Sequence, residues 1–337
     1  MECNLCERRC SLDVGELGRC RTRKNIDGRL YTLVYGDLSG VESRPIEIKP
    51  FFHYWPGSTA LTFSTWSCNF DCPWCQNYNF SKSHPKPEKA VSVSPDRILE
   101  MAIDSGDEGL CASFQEPTLL TDWTADAFSQ AKGCGLYCCY VSNGYMTLEA
   151  IDLLARSGLD GLKIDVKGDE HAYREFCGAV DANIPWRNAE AAKKKGIHVE
   201  IVNLIVPSVN DSDSTILSVI DRHLKHVGPE TPIHFTRYMP AYKFHAPATE
   251  IQRLEHARET ARKAGVKYPY IGNVRGHRYE NTFCHECGEQ VITRDGWTIR
   301  TYELSREKKC PKCATRIPIA GMYVQKRRRL DWTIFGI

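Results

Sequence analysis

The chain has 337 residues, 42% hydrophobic and 26% charged, which is enough apolar content for a sizeable core in one large domain or in a domain with small modules. A formal net charge of +2 argues against a general polyanion binder, and no apolar run approaches the roughly 18–20 residues that cross a bilayer. The opening MECNLCERRC has no apolar stretch of the secretory kind, so a soluble cytoplasmic protein is expected. Short β-branched or aromatic runs then alternate with helical stretches. Strands are predicted at residues 61–64, 110–114, 136–142, 162–166, 199–206 and 233–238, with a seventh short one at 268–271. Helix signals stand between them. Ser94 is placed as an N-cap with Pro95 at the first helical position, opening DRILEMAIDSG. Thr147 opens TLEAIDLLARSG, and NAEAAKKKG, DSTILSVIDRHLKHVG and EIQRLEHARETARKAG follow, each closed by a glycine stop. This alternation predicts an α/β fold with a parallel sheet. Six or so units suit a partial (β/α)6 TIM-like barrel, with an open doubly wound sheet as the alternative.

Sixteen cysteines need accounting for. Without a secretory signal, metal binding explains them better than a disulfide framework. They form three clusters: Cys3, Cys6, Cys10 and Cys20; Cys68, Cys72 and Cys75; Cys284, Cys287, Cys310 and Cys313. The singles Cys111, Cys134, Cys138, Cys139 and Cys177 are expected to be small buried apolar residues. The terminal clusters predict small four-cysteine modules held by a metal, because segments this short do not hold a core alone. The division expected is residues 1–50, a central barrel at 51–276, and 277–337. CHEC and CPKC, with twenty-two residues between them, have zinc-ribbon spacing, and mononuclear iron shares the same tetrahedral sulfur ligation. The N-terminal C-x2-C-x3-C-x9-C is less regular; zinc, a single iron or an auxiliary cluster suits it, and a single tetrahedral metal is the expectation. Both modules are expected to be structural. The basic run KRRR at 326–329, near Trp332, is read as a solvated tail rather than an RNA contact.

The middle cluster, SCNFDCPWCQN, falls in the first β/α loop, where barrels of this kind build their sites. Three thiolates on a four-iron cube leave one iron open to a small-molecule ligand. The alternative is a zinc site completed by a histidine, but the loop contains none. After the second strand, Gln115-Glu116-Pro117-Thr118 offers Glu116, a carboxylate suited to an ammonium or, in the plainer reading, an acid at a helix start. After the third comes a polar turn, Ser142-Asn143-Gly144-Tyr145. In GLKIDVKG, strand alternation puts Lys163, Asp165 and Lys167 on one face, predicted to be the lumen, with Leu162, Ile164 and Val166 outside. Lys167 is expected to meet a carboxylate, and Asp165 to hold Lys163 or a ribose, unless the three form an internal ion cluster. Asn203, Pro207, Asn210, His234 and Arg237 are expected at the same rim.

The C-x3-C-x2-C triad in this loop resembles that of the radical SAM superfamily. The resemblance implies a 4Fe-4S cluster on Cys68, Cys72 and Cys75, with S-adenosylmethionine chelated to the open iron through its amino and carboxylate groups. Reductive cleavage would release a 5′-deoxyadenosyl radical that takes hydrogen from the substrate, the protein orienting the cofactor and excluding water. In that setting Glu116 stands where the superfamily receives the substrate's amino group, and Ser142, Asn143, Asp165, Lys167 and Asn203 join it as cofactor-binding candidates. Taken in order, CNLCERRC with GELGRCRTR, RPIEIKPFFHYWPGS, CNFDCPWCQN, EPT, SNGY, DVKG, VPSVNDS, HFTRYMPAYK, YIGNV and CHEC…CPKC cover nearly the whole chain. They resemble the glycyl-radical-activase-like branch and, within it, the radical SAM component of the AmmeMemoRadiSam system. SFQ before EPT stands where an aromatic–Asn pair is commoner, SNG replaces Thr-Asn-Gly, and RPIEIKP replaces an Asp-Pro start. The expected activity is hydrogen abstraction from a protein or peptide, fed by a low-potential donor such as a ferredoxin or flavodoxin. One alternative is cobalamin-dependent C-methylation of a protein side chain, since some methanogen-type C-methylases share such a core without a recognisable cobalamin domain. The other is a zinc-ribbon adaptor for nucleic acid or protein with a vestigial barrel. The intact triad and the lumen charges argue against the adaptor, so nucleic acid is not an expected partner.

Overall fold

Strand and helix alternate through the middle of the chain in the computed structural model, which describes residues 1–325; the basic run at 326–329 and Trp332 lie outside them. A hairpin of β1 (Arg23–Ile26) and β2 (Arg29–Thr32) precedes β3 (Gly40–Pro45) and β4 (Thr59–Ser64), and α1 (Tyr78–Ser81) follows the triad loop. Then come α2 (Pro95–Ser105), β5 (Gly109–Ala112), α3 (Thr121–Gly133), β6 (Tyr137–Ser142), α4 (Leu148–Arg156) and β7 (Gly161–Val166). The series continues through α5 (Ile184–Lys194), β8 (His198–Ile205), α6 (Asp213–His226), β9 (Ile233–Arg237), α7 (Ile251–Lys263) and β10 (Pro269–Gly272). An antiparallel sheet of β11 (Thr282–Phe283), β12 (Gln290–Asp295) and β13 (Thr298–Tyr302) ends it.

Local chemistry sets the helix ends. Ser94 Oγ accepts from Arg97 N at 3.2 Å, Thr147 Oγ1 from Ala150 N at 3.1 Å and Ser212 Oγ from Thr215 N at 3.2 Å. Each such cap is worth about 1 kcal/mol. Gly106 ends α2 at φ +66°, a left-handed conformation that glycine adopts freely.

The seven parallel strands β4 to β10 lie side by side in chain order, and β3 pairs antiparallel with the free edge of β4. This is the expected partial barrel, with the short seventh strand present. Alternate strand residues, among them Leu61, Phe63, Leu110, Ala112, Tyr140, Leu162, Ile164, Ile201 and Phe235, share one core with the helices outside. In the main sheet and the layer of longer helices around it, two elements escaped the sequence. The edge strand β3, GVESRP, has no apolar alternation. α3 buries Trp123 and Phe128 among small or hydroxylated residues, Thr121, Thr124, Ala125, Ala127 and Ala131, so its periodicity is weak. The expected boundary at residue 50 is also corrected. β3 belongs to the main sheet, and the segment that follows it plugs the lower opening, where Ile46, Phe51 and Tyr54 pack on Ala60, Cys111 and Cys139.

Glu200, fully buried on β8, fastens this plug. It accepts from Phe52 N at 3.0 Å and His53 N at 2.7 Å, and His198 and His234 present Nε2 to it at 3.0 and 2.7 Å. Burial alone would raise its carboxyl, but the two histidines outweigh that and hold it well below the carboxylate range. From below, Arg294 of β12 donates to Phe52 O at 2.9 Å and stacks on the Phe52 ring, its guanidinium carbon 4.1 Å from the centroid.

Candidate functional site

The C-terminal ends of the strands surround a cavity of about 310 Å³ lined by all three cysteines of the triad, Glu116, Asn143, Lys163, Asp165 and Lys167. The triad loop is gripped from the N-terminal module. Arg8 donates through Nε and Nη2 to Asn69 O at 3.0 and 2.7 Å and through Nη1 to Gly178 O, between the rings of Phe70 and Tyr145. Ser67, just before Cys68, is held at φ +72°, an uncommon conformation for a residue with a side chain. Burial pushes the Cys68 thiol up, while the contact with Cys177 and then the charge of Lys167 bring Cys72 down.

Glu116 anchors the neighbouring strand ends. Its Oε1 accepts from Thr118 N at 3.1 Å and Ser142 Oγ at 2.7 Å, and its Oε2 from Asn143 N at 2.8 Å. Burial dominates and raises its pKa, with these bonds offsetting part of the rise. Asn143 Nδ2 donates to Asn69 Oδ1 at 2.7 Å, tying the β6 turn to the triad loop. That turn needs Gly144: its φ is +71°, and a Cβ would lie 2.8 Å from Ile164 Cγ2. Lys163 Nζ donates to Asp165 Oδ2 at 2.8 Å. Burial would raise Asp165, but Lys163 and Lys167 hold it low; burial would lower Lys167, but Asp165 and the Cys72 and Cys177 thiols raise it.

Not every candidate arrives here. Ser142 supports Glu116 from the strand and is not among the cavity-lining residues. Asn203 is a correction. Val202 and Leu204 line the cavity, so Asn203 between them faces the other side, where its Nδ2 donates to Val166 O at 3.1 Å. His234 lies at the plug on Glu200, not at the rim. Asn210 closes its own turn onto Val206 N at 2.7 Å, and Arg237 Nε donates to Thr249 O at 2.9 Å. Pro207 is likewise absent from the cavity lining. Among the lining or contacting residues that the sequence did not mark as part of the site are Lys49, Gln115 and Cys177, whose Sγ is 3.4 Å from that of Cys72. Cys177 follows β7, 105 positions from Cys72, and no local pattern marks it. Of the other singles, Cys111, Cys138 and Cys139 are buried as expected, whereas Cys134 is exposed at the end of α3.

The donor set fits an iron–sulfur cluster. Three thiols share one cavity wall, and no histidine lines the cavity to complete a zinc site. At the far end, Cys284 and Cys313 sulfurs are 3.5 Å apart and those of Cys287 and Cys310 3.7 Å, with all four within 4.8 Å of one another. A tetrahedral site with bonds of about 2.3 Å needs a spacing of roughly 3.8 Å, so this module fits a single metal ion. Cys3, Cys6, Cys10 and Cys20 line a small common cavity with Arg8, Arg9 and Arg23, and among the described residues they form no group as tight.

Comparison with known proteins agrees with this geometry. The sequence profile described as the radical SAM superfamily matches residues 64–220, so the chain carries a radical SAM domain. It is therefore an enzyme of the class that pairs a 4Fe-4S cluster with S-adenosylmethionine. An uncharacterized protein of Methanocaldococcus jannaschii is 36% identical over 321 residues, 95% of each chain. A second protein of that organism, assigned as a glycyl-radical enzyme activating enzyme, is 24% identical over 164 residues, 47% of this chain and 66% of that one. Among solved structures, Streptococcus suis SuiB bound to S-adenosylmethionine shares the fold with a TM-score of 0.51 at 13% identity, over 67% of this chain and 55% of its own. No helix among the described residues is long and apolar enough to cross a membrane.

Proposed function

We propose that the protein abstracts a hydrogen atom from a polypeptide substrate, in the manner of an activase or a side-chain-modifying enzyme, in the cytoplasm. The observation that carries this reading is the convergence of the triad, Glu116 with Asn143, and the Lys163–Asp165–Lys167 row on one cavity. Cys68, Cys72 and Cys75 would hold the cluster, and Glu116, Asn143, Asp165 and Lys167 the S-adenosylmethionine. Together these groups would supply one-electron reductive cleavage chemistry, with the electron from a ferredoxin or flavodoxin. This chain's residues do the rest. Glu116 keeps one oxygen with a single donor, free to accept from an ammonium. Lys167, half-buried and held in its charged form by Asp165, suits a carboxylate. The plug under β4 to β8 shuts the lower opening against water. The sheet does not close between β3 and β10, which leaves a side suited to a chain segment rather than to a free metabolite. The C-terminal four cysteines take zinc or a single iron in a structural role, and the N-terminal four hold a metal that stiffens the segment carrying Arg8.

The test is anaerobic incubation with S-adenosylmethionine and dithionite, following 5′-deoxyadenosine and the mass of candidate partner proteins. A partner that gains a stable radical, seen by paramagnetic resonance, supports an activase. A gain of one methylene that requires added cobalamin replaces this reading with methylation. Deoxyadenosine formation unchanged in the Cys68, Cys72 and Cys75 triple alanine variant refutes the assignment of the triad.

A further inference from the structure

Lys49 is the unusual charge of the lumen. It comes from the plug, not from a strand; it is only 4% exposed and it lines the same cavity as the triad. Lys163 has Asp165 at 2.8 Å. Among the described residues no carboxylate comes within ion-pair distance of Lys49; its close neighbour is the Phe114 ring, with Nζ 4.1 Å from the centroid. A buried ammonium without a counter-ion is costly, and the native fold keeps this one facing a cavity. The charges that act on it are first those around Cys111 and Cys139, midway along β5 and β6, and then the Glu42 and Arg44 pair of β3, so it sits below the rim that carries the triad loop.

A second observation points the same way. Gln115, which follows Phe114, also lines the cavity and is 8% exposed, yet neither its Oε1 nor its Nε2 has a partner. Buried amides are nearly always hydrogen-bonded, so a side chain orphaned at both atoms marks a place where a ligand completes the bonding. Phe114 itself is held at φ +71°, the kind of backbone strain that collects at ligand sites. A carboxylate answers both vacancies: one oxygen pairs with the ammonium, the other accepts from the amide N–H, and the Phe114 ring walls the methylene beside it.

We propose that Lys49 and Gln115 form a subsite in the lower lumen for a carboxylate borne by a substrate polypeptide, so that the preferred substrate presents an acidic side chain there. This rests on the reading of the protein as a polypeptide-directed enzyme, and it is tested without radical chemistry so that the two fail separately. The purified full chain is titrated calorimetrically at pH 7, without S-adenosylmethionine, with the capped peptide acetyl-Gly-Gly-Glu-Gly-Gly-amide and with its glutamine counterpart. The expected result is a preference of tenfold or more for the glutamate peptide. Lys49→Met removes that preference while the thermal midpoint stays level or rises, and Lys49→Arg retains part of it. Gln115→Leu weakens both peptides. Pentaglycine with a free C-terminal carboxylate, bound better than its amide, would support the same subsite with a chain end as its occupant. Equal affinity for the two capped peptides, no saturable binding of the glutamate peptide at millimolar concentration, or an undiminished preference in Lys49→Met overturns the proposal.

Discussion

Replacing Lys49 by methionine should stabilise the protein at neutral pH, which is the opposite of the usual effect of a core substitution. Burial takes the Lys49 ammonium from an ordinary 10.5 to about 8. At 1.36 kcal/mol for each pH unit, holding that charge in the fold costs about 3 kcal/mol. Methionine matches the stem in volume and removes the charge, but it forfeits the contact with Phe114, worth about 1–2 kcal/mol. The expected net gain is about 1–2 kcal/mol at pH 7. The pH dependence has a definite sign. Between about 8 and 10.5 the folded chain has released the proton and the unfolded chain still holds it, so the native protein gains stability relative to the variant as pH rises through that window. Urea unfolding of both chains at pH 7, 8.5 and 10 measures the difference directly. A variant that is less stable at pH 7, with a gap that does not change with pH, would mean that the amine has a good native partner.

Three other outcomes follow from the same contacts. Arg8→Ala leaves the carbonyls of Asn69 and Gly178 without their charged donor, a loss of about 3–5 kcal/mol confined to the triad loop; iron should leave the reconstituted protein at least tenfold faster under chelator, and an unchanged rate would sever Arg8 from the loop. Lys167→Ala should weaken S-adenosylmethionine by about 1.5–3 kcal/mol in equilibrium dialysis, and unaltered binding in a folded variant would leave Lys167 as a partner of Asp165 alone. Removing the metal from Cys284, Cys287, Cys310 and Cys313 with a chelator should expose the plug, read as faster amide exchange at Phe52 and His53, whose outer contacts come from Arg294 and Ala320; exchange that stays slow would show that Glu200 alone suffices.

The sequence carried the β/α order because each strand has a helix-facing apolar row and each helix a readable start and stop. It carried the lumen row of Lys163, Asp165 and Lys167 because charge alternates with Leu162, Ile164 and Val166. In β8 that contrast is split: Glu200 and Asn203 fall on opposite faces of HVEIVNLI, so each face carries a polar residue and alternation alone does not say which way the asparagine points. His234 failed for a different reason. Alternation gives the face of a strand but not the depth, and this histidine lies at the level of Glu200 rather than at the rim. Lys49 was hidden by topology, since its place depends on a segment crossing beneath the sheet, which no local periodicity encodes. The cysteine triad needed only spacing and the strand before it.

The plug also fixes an order of events during synthesis. Its lumen partner Glu200 is 147 positions downstream of His53, while the contacts that hold its outer side, Arg294 to Phe52 and Pro318 to His53, lie 242 and 265 positions away. A chain emerging from its N-terminus completes the sheet through β8 long before the last module exists. The barrel base is therefore fastened twice, first from within by a carboxylate and only at the end by the module that Cys284, Cys287, Cys310 and Cys313 hold together. Until that second fastening, the plug rests on its apolar packing and on the hydrogen bonds to Glu200, and the final fifty or so described residues act as a late latch on a chamber already built.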